Sequence, residues 1–299
     1  MLLVTGITGH SGQYFLKELI ENDYNGTIRC IVRSSSDTTL LDNSGLDIEK
    51  VVGDINNQEF INNVMQDVHT VLHIYNIHHS PAIYKAAIKN NVDRTILIHT
   101  TGIYSKFKNA SAEYELIENE VIRLSSQNNS PDLTILRPTM IYGDLCDSNI
   151  SKFITLIDKL PIVPIINKGK SLLQPVNARD LGKSYYSVLM SPQKTKGNFY
   201  NLSGEKPIEL RTVFKLISKE LNQKKIYINI PLQFGVILTS IIKAITKGKV
   251  DYVEKVQRMG ENRSYSHLKA SKDFNYQPMS LAKGIELEVG EYLEWKNKK

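Results

Sequence analysis

The chain has 299 residues, a formal charge of +6 and a hydrophobic fraction of 41%, enough for one large α/β unit or a domain with a smaller lobe. The lysines and arginines are dispersed and accompany no nucleic-acid reading motif, which argues against a nucleic-acid partner. The two cysteines, Cys30 and Cys146, have neither metal-ligand nor disulfide-framework spacing, and no leader precedes the first strand, so a reducing cytoplasm is the expected compartment.

In chain order, short apolar or β-branched runs at Leu2–Thr5, Ile28–Val32, Ile48–Val52, Thr70–Ile74, Thr95–His99 and Leu133–Leu136 predict strands. Helical patterns at Gly12–Asn22, Gln58–Met65, Ala82–Asn90 and Ala112–Ser125 fall between them. Most of the strand runs are apolar at successive positions, as strands covered on both faces are. The alternation predicts a Rossmann-type doubly wound parallel sheet, whose ligands sit beyond the carboxyl ends of the strands.

The first turn reads Thr5-Gly6-Ile7-Thr8-Gly9-His10-Ser11-Gly12. A strand, a glycine-rich turn, a helix and a second strand in this order predict a dinucleotide pyrophosphate site. Gly6 serves the tight turn, Gly9 admits close approach of the backbone, and Gly12 lets the helix pack against the sheet. Thr8, His10 and Ser11 lie on the same turn, where the free amides of the helix start face the anion. Beyond the second strand stand Val32-Arg33-Ser34-Ser35-Ser36, and the nearest acid, Asp37, comes several residues late. Arg33 with Ser34 suits a 2′-phosphate, which favours NADP, with NAD as the alternative.

After about residue 147 helical patterns (Ser151–Lys159, Ala178–Met190, Leu210–Leu221) mix with short strands (Asn198–Leu202, Lys225–Ile230). These predict a dinucleotide-binding domain over 1–147 and a smaller α/β substrate lobe over 148–299, with a return of the chain to the first domain left open. The uncharged stretch Ile228–Ile242, followed by Lys243, Lys247 and Lys249, is too short for a transmembrane segment, which needs about 20 apolar residues. A buried or lid helix is the first reading, and membrane-surface contact at 228–249 the second.

Several later segments resemble landmarks of the extended short-chain dehydrogenase/reductase superfamily, in its epimerase/dehydratase branch. Thr5–Gly12 is similar to its TGxxGxxG turn, and Gly53-Asp54-Ile55 to its acidic turn at the adenine. His99-Thr100-Thr101-Gly102-Ile103-Tyr104 resembles the strand end that carries the catalytic hydroxyl. Arg137-Pro138-Thr139-Met140-Ile141-Tyr142-Gly143 resembles the RPxxxYG segment beside the nicotinamide. Gln174–Leu181, Tyr200–Gly204 and Tyr276-Gln277-Pro278 are similar to later landmarks, so the likeness spans nearly the whole chain. It implies a nicotinamide cofactor held also by Tyr75, Asn76, Thr100, Pro138, Thr139 and Met140. It further implies a small-molecule substrate such as a nucleotide sugar, and a homodimer.

The superfamily's tyrosine and lysine, four residues apart on the helix after Thr100, are not evident. With Glu120 in the place of the glutamate that follows the lysine, Ala112 and Leu116 take the two positions. With Tyr114 as the tyrosine, Glu118 stands where lysine belongs, and a carboxylate there disfavours the phenolate a general base requires. Tyr104 and Lys108 also have the right spacing, but follow the strand directly. Thr100 and Tyr114 are the candidate catalytic residues. His78 and His79, after the fourth strand, are further candidates for proton transfer, with no carboxylate partner evident in the sequence. Two functions remain open: an NADP(H)-dependent oxidoreductase or epimerase acting without the dyad, and a catalytically inactive redox sensor or accessory subunit.

Overall fold

Leu2, Leu3 and Val4 are all buried, and they belong to two different cores. Successive side chains of a strand point to opposite faces, so both faces of this strand must be covered. The computed structural model, which describes residues 1–298 except the side chains of 108–110, shows how. Strands β1 (Leu2–Thr5), β2 (Ile28–Val32), β3 (Ile48–Val52), β4 (Thr70–His73), β5 (Arg94–Ile98), β6 (Asp132–Pro138) and β7 (Phe199–Leu202) form one parallel sheet in the order β7-β6-β5-β4-β1-β2-β3.

On one face, Leu2 and Val4 pack with Phe15 and Leu16 of the Gly12–Glu21 helix and with Tyr185 and Val188 of the Ala178–Leu189 helix. On the other, Leu3 packs with Ile61 of the Gln58–Val64 helix and Ile83 of the Ser80–Lys89 helix. The Lys108–Ser125 helix continues that layer, with Val121 against Leu97 and Ile135. Strand order reverses beside β1, between β4 and β2, and the crevice of such a sheet opens at that point. The third strand departs from its apolar reading, since at the sheet edge Glu49, Lys50 and Val52 are exposed.

Two expectations about the second half are corrected. Asn198–Leu202 was expected among the isolated strands of the smaller lobe, but residues 199–202 are the outer strand of the main sheet, with Tyr200 opposite Leu136. Together with the Ala178–Leu189 helix, it returns the chain to the first unit. Ile228–Ile242 is not a buried helix either. It divides into a strand, Ile226–Ile230, paired with Ile162–Ile166, and a helix, Leu232–Ile245, of which only Gly235 is fully buried. Among the described residues, no helix is long and apolar enough to cross a membrane.

A separate apolar core unites Ile150, Ile154, Val213, Ile217, Ile285 and Val289. Beside it lies Glu288, fully buried, with neither carboxyl oxygen hydrogen-bonded among the described residues. Burial, with Asp147 facing it, pushes this carboxyl up to about 10. Between an ordinary glutamate value and that point, the folded chain holds a proton that the unfolded chain has lost. Stability therefore falls as pH rises through this interval. Glu288→Gln is expected to stabilise the chain by roughly 1–3 kcal/mol at neutral pH. Urea denaturation should show the gain at pH 8 exceeding that at pH 5, and equal gains would mean that Glu288 is ionised in the fold.

Candidate functional site

The turn after β1 is built by close backbone approach. Gly6 has φ +76°, and a Cβ there would lie 2.8 Å from the Cα of Tyr75. At Gly12 a Cβ would stand 2.1 Å from the Gly6 carbonyl oxygen, an overlap that no rearrangement of side chains relieves. The Gln13 amide donates to the Gly9 carbonyl, so helical bonding begins at Gly9 and the amides just after it have no intrahelical acceptor. Such an end attracts an anion.

A cavity of about 530 Å³ opens from this turn across the ends of β1, β2 and β3. Gly6, Thr8, Gly9, Arg33, Ser34, Asp54, Ile55 and Tyr75, all candidates from the sequence, line it. Gly53 of the acidic turn lines it too, as do Ser35, Ser36 and Asn56, which the sequence does not single out as contacts. The run of three serines after Arg33 was the available signal. Ser36 Oγ accepts from the Arg33 amide at 3.1 Å, which folds the run back into a turn. Asp37 is engaged elsewhere, taking the amide and hydroxyl of Thr39 at 2.9 and 2.7 Å. No carboxylate pairs with Arg33 among the described residues.

Other candidates lie outside that cavity, in two groups. His10 pairs with Asp144 at 2.8 Å and Ser11 Oγ takes a hydrogen bond from the buried Tyr185 hydroxyl at 3.3 Å, so both side chains brace the turn against neighbouring elements. Asn76 caps the short turn that follows it, accepting from the His78 amide at 3.1 Å. At the ends of β5 and β6, Thr100 Oγ1 accepts from the Gly102 amide at 3.0 Å, and Thr139 Oγ1 donates to the Gln174 carbonyl at 2.5 Å. The Pro138 carbonyl accepts from Thr101 Oγ1 at 3.2 Å, while Met140 packs on the second core. Both hydroxyls, of Thr100 and Thr139, therefore have backbone partners.

The Lys108–Ser125 helix resolves which glutamate faces inward. Glu118 is buried, bonded by Arg137 Nε at 3.1 and 3.0 Å, by Arg137 Nη2 at 2.5 Å and by His99 Nδ1 at 2.9 Å. Glu120 is at the surface, paired with Lys85 at 2.6 Å. Of the two registers the sequence left open, the one that puts Glu120 in the family glutamate's place has its glutamate at the surface, while Glu118 faces inward. Burial lowers the pKa of His99 despite Glu118 beside it. Its ring then donates through Nδ1 to Glu118 and accepts from the Ser80 hydroxyl at 3.2 Å, the tautomer following from the partners. One turn before Glu118 stands Tyr114, whose ring lies 5.8 Å from that of His78. His78 Nδ1 in turn meets Glu113 at 3.1 Å, a carboxylate partner that the sequence did not reveal. The side chain of Lys108, and with it the Tyr104–Lys108 string, lies outside the described residues.

Residues 6–151 match the family model for NAD(P)H binding. Over these residues the chain is similar to an NAD(P)H-binding domain. The whole chain superposes on solved structures at low identity. The protein called gox2253 aligns with a TM-score of 0.79 and 17% identity, over 99% of this chain and 98% of that one. A double mutant of DesIV, the dTDP-glucose 4,6-dehydratase of Streptomyces venezuelae with NAD and DAU bound, gives 0.74 and 16%, over 100% and 98%. The UDP-glucose 4-epimerase of Thermotoga maritima with UDP-glucose gives 0.73 and 16%, over 99% of each chain. No curated protein matches the sequence. In fold, the chain is similar to these dehydratase and epimerase structures, with one parallel sheet and helices on both faces. The glycine turn, the Gly6–Tyr75 lining of the cavity and the β5–β6 strand ends lie within the matched residues.

Proposed function

We propose that the chain is an NADP(H)-dependent oxidoreductase or epimerase acting on a small polar substrate, a nucleotide sugar first among those to test, without the tyrosine–lysine dyad. The carrying observation is the cavity wall at Arg33–Ser36: a guanidinium and three serines, with the nearest acid engaged by Thr39. A dianionic 2′-phosphate matches that donor set, whereas a ribose hydroxyl calls for a carboxylate acceptor. The amides just after Gly9 hold the pyrophosphate, with Gly6, Gly9 and Gly12 admitting its close approach, and Asp54 and Ile55 border the adenine. Tyr75, Asn76, Thr100 and the Pro138–Met140 backbone lie on the nicotinamide side.

The bound nicotinamide supplies hydride transfer. The protein must supply the proton. With Tyr114 as the tyrosine, the inward-facing Glu118 stands one helical turn later, where the lysine of the dyad belongs. His78, held through Nδ1 by Glu113, keeps Nε2 without a partner among the described residues and serves as the proton donor. Tyr114 and Thr100 position the substrate beside it.

A second reading, cofactor binding without turnover as a sensor or accessory subunit, is favoured by the full commitment of Glu118 to Arg137 and His99. A nucleotide-sugar panel with NADPH or NADP, read by absorbance and by NMR, separates the two, since epimerisation leaves the cofactor unchanged overall. Turnover of one member, slowed by about 10²-fold or more in His78→Asn with NADPH affinity unchanged, is the expected result. Tight NADPH binding with an inert panel would support the second reading.

A further inference from the structure

Apolar side chains at helical spacing normally mark a face turned toward a core. In the Leu232–Ile245 helix the opposite holds. Phe234, Ile237, Leu238, Ile241 and Ile245 fall at positions i, i+3, i+4, i+7 and i+11 and are all exposed, Ile245 to 77%. The side that meets the rest of the protein is formed by Gly235 with the half-buried Leu232, Val236, Thr239 and Ile242. An apolar stripe of this size, presented to solvent on a helix, calls for a cover.

The charge around it says which. Residues 221–250 contain five lysines, Lys224, Lys225, Lys243, Lys247 and Lys249, and neither aspartate nor glutamate. The first acid beyond, Asp251, is paired with Lys243 at 2.6 Å. Tyr252 follows, exposed, with Lys255 over its ring at 5.1 Å. Two copies of this face brought together would oppose lysine to lysine with no carboxylate in the segment to pair them, which disfavours self-association. An anionic surface attracts Lys224, Lys247 and Lys249, which have no ion pair among the described residues. Lys225 instead donates to the Leu160 carbonyl at 2.8 Å, and Lys243 is held by Asp251. The helix, 14 residues long, extends about 21 Å, short of the roughly 30 Å of a bilayer core, so it lies in the interface plane.

We infer that this helix is a docking surface for an anionic lipid bilayer, its apolar stripe entering the interface and its lysines meeting the headgroups. The inference is independent of the proposed oxidoreductase activity. The full chain is mixed with phosphatidylcholine vesicles with or without phosphatidylserine and sedimented, at low and high salt. Binding is expected only with phosphatidylserine and should weaken as salt rises. Ile237→Glu with Ile241→Glu should lower it by about tenfold or more. Both positions are solvent-exposed, and an unchanged thermal melt of the variant confirms that the loss is local. Failure to bind phosphatidylserine vesicles, or binding that survives the double substitution, overturns the inference. So does a dimer in light scattering that the same substitutions disperse, which would assign the face to a second copy.

Discussion

Glu118→Ala is expected to destabilise the chain by about 3–5 kcal/mol, because it leaves the Arg137 guanidinium buried without its counter-charge. The carboxylate takes three contacts from Arg137 and one from His99, and it is only 5% exposed. Arg137 also reaches the Tyr104 hydroxyl at 3.1 Å, and that hydroxyl donates to Asn201 at 3.2 Å. The network thus ties the Lys108–Ser125 helix to the ends of β5, β6 and β7. Burial alone would raise the pKa of Glu118, but the hydrogen bonds from His99 and Arg137 and the Arg137 charge outweigh it and hold the carboxyl below its ordinary value. A depressed carboxylate contributes stability above the ordinary range and loses it as pH falls through the folded value. The wild-type chain should lose this contribution on acidification, and the variant has none to lose. Denaturation at pH 7 and pH 4 reads both effects. The double variant Glu118→Leu with Arg137→Met should recover much of the loss, since a charge pair replaced by apolar groups leaves nothing stranded. If the single and double variants are equally unstable, packing rather than the unpaired charge is responsible.

Arg33→Ser should weaken NADPH binding by about tenfold to a hundredfold, the range set by roughly 1.5–3 kcal/mol for hydrogen bonds to a charged group. NADH lacks the 2′-phosphate, so its affinity should barely move, and the wild-type preference for NADPH should collapse. Arg33 is exposed on the cavity wall and has no ion pair among the described residues, so the fold is not expected to suffer. Fluorescence titration of both cofactors against both proteins measures the four affinities. Equal weakening of NADPH and NADH would show that Arg33 packs on the adenine and does not read the phosphate. Equal affinities in the wild type would remove the NADP assignment altogether.

The parts of this protein legible in sequence are those decided within a few residues. Strand Leu2–Thr5, the Gly6–Gly12 turn and the helix from Gly12 are set by local backbone demands: a positive φ, a carbonyl where a Cβ would fall, an apolar run of strand length. The sheet follows from repeated strand and helix patterns, and the cavity wall from Arg33–Ser36, because the strand end and its turn are contiguous in the chain. What remained hidden depends on partners far away in sequence. Glu118 and Glu120 read alike until Arg137 arrives from β6 and Lys85 from the preceding helix. His78 has no visible carboxylate until Glu113 comes from a helix 35 residues later. Phe199–Leu202 looks like any short strand, and only its pairing with β6 places it in the sheet. The Leu232–Ile245 stripe shows the same apolar spacing that a buried helix has, because period reports which residues share a face and is silent on what the face meets. Sequence by itself therefore determined the dinucleotide turn and the parallel sheet, through local geometry. Tertiary structure alone decided which charges are paired and which apolar face is left to solvent, since burial belongs to the assembled neighbours and not to the segment.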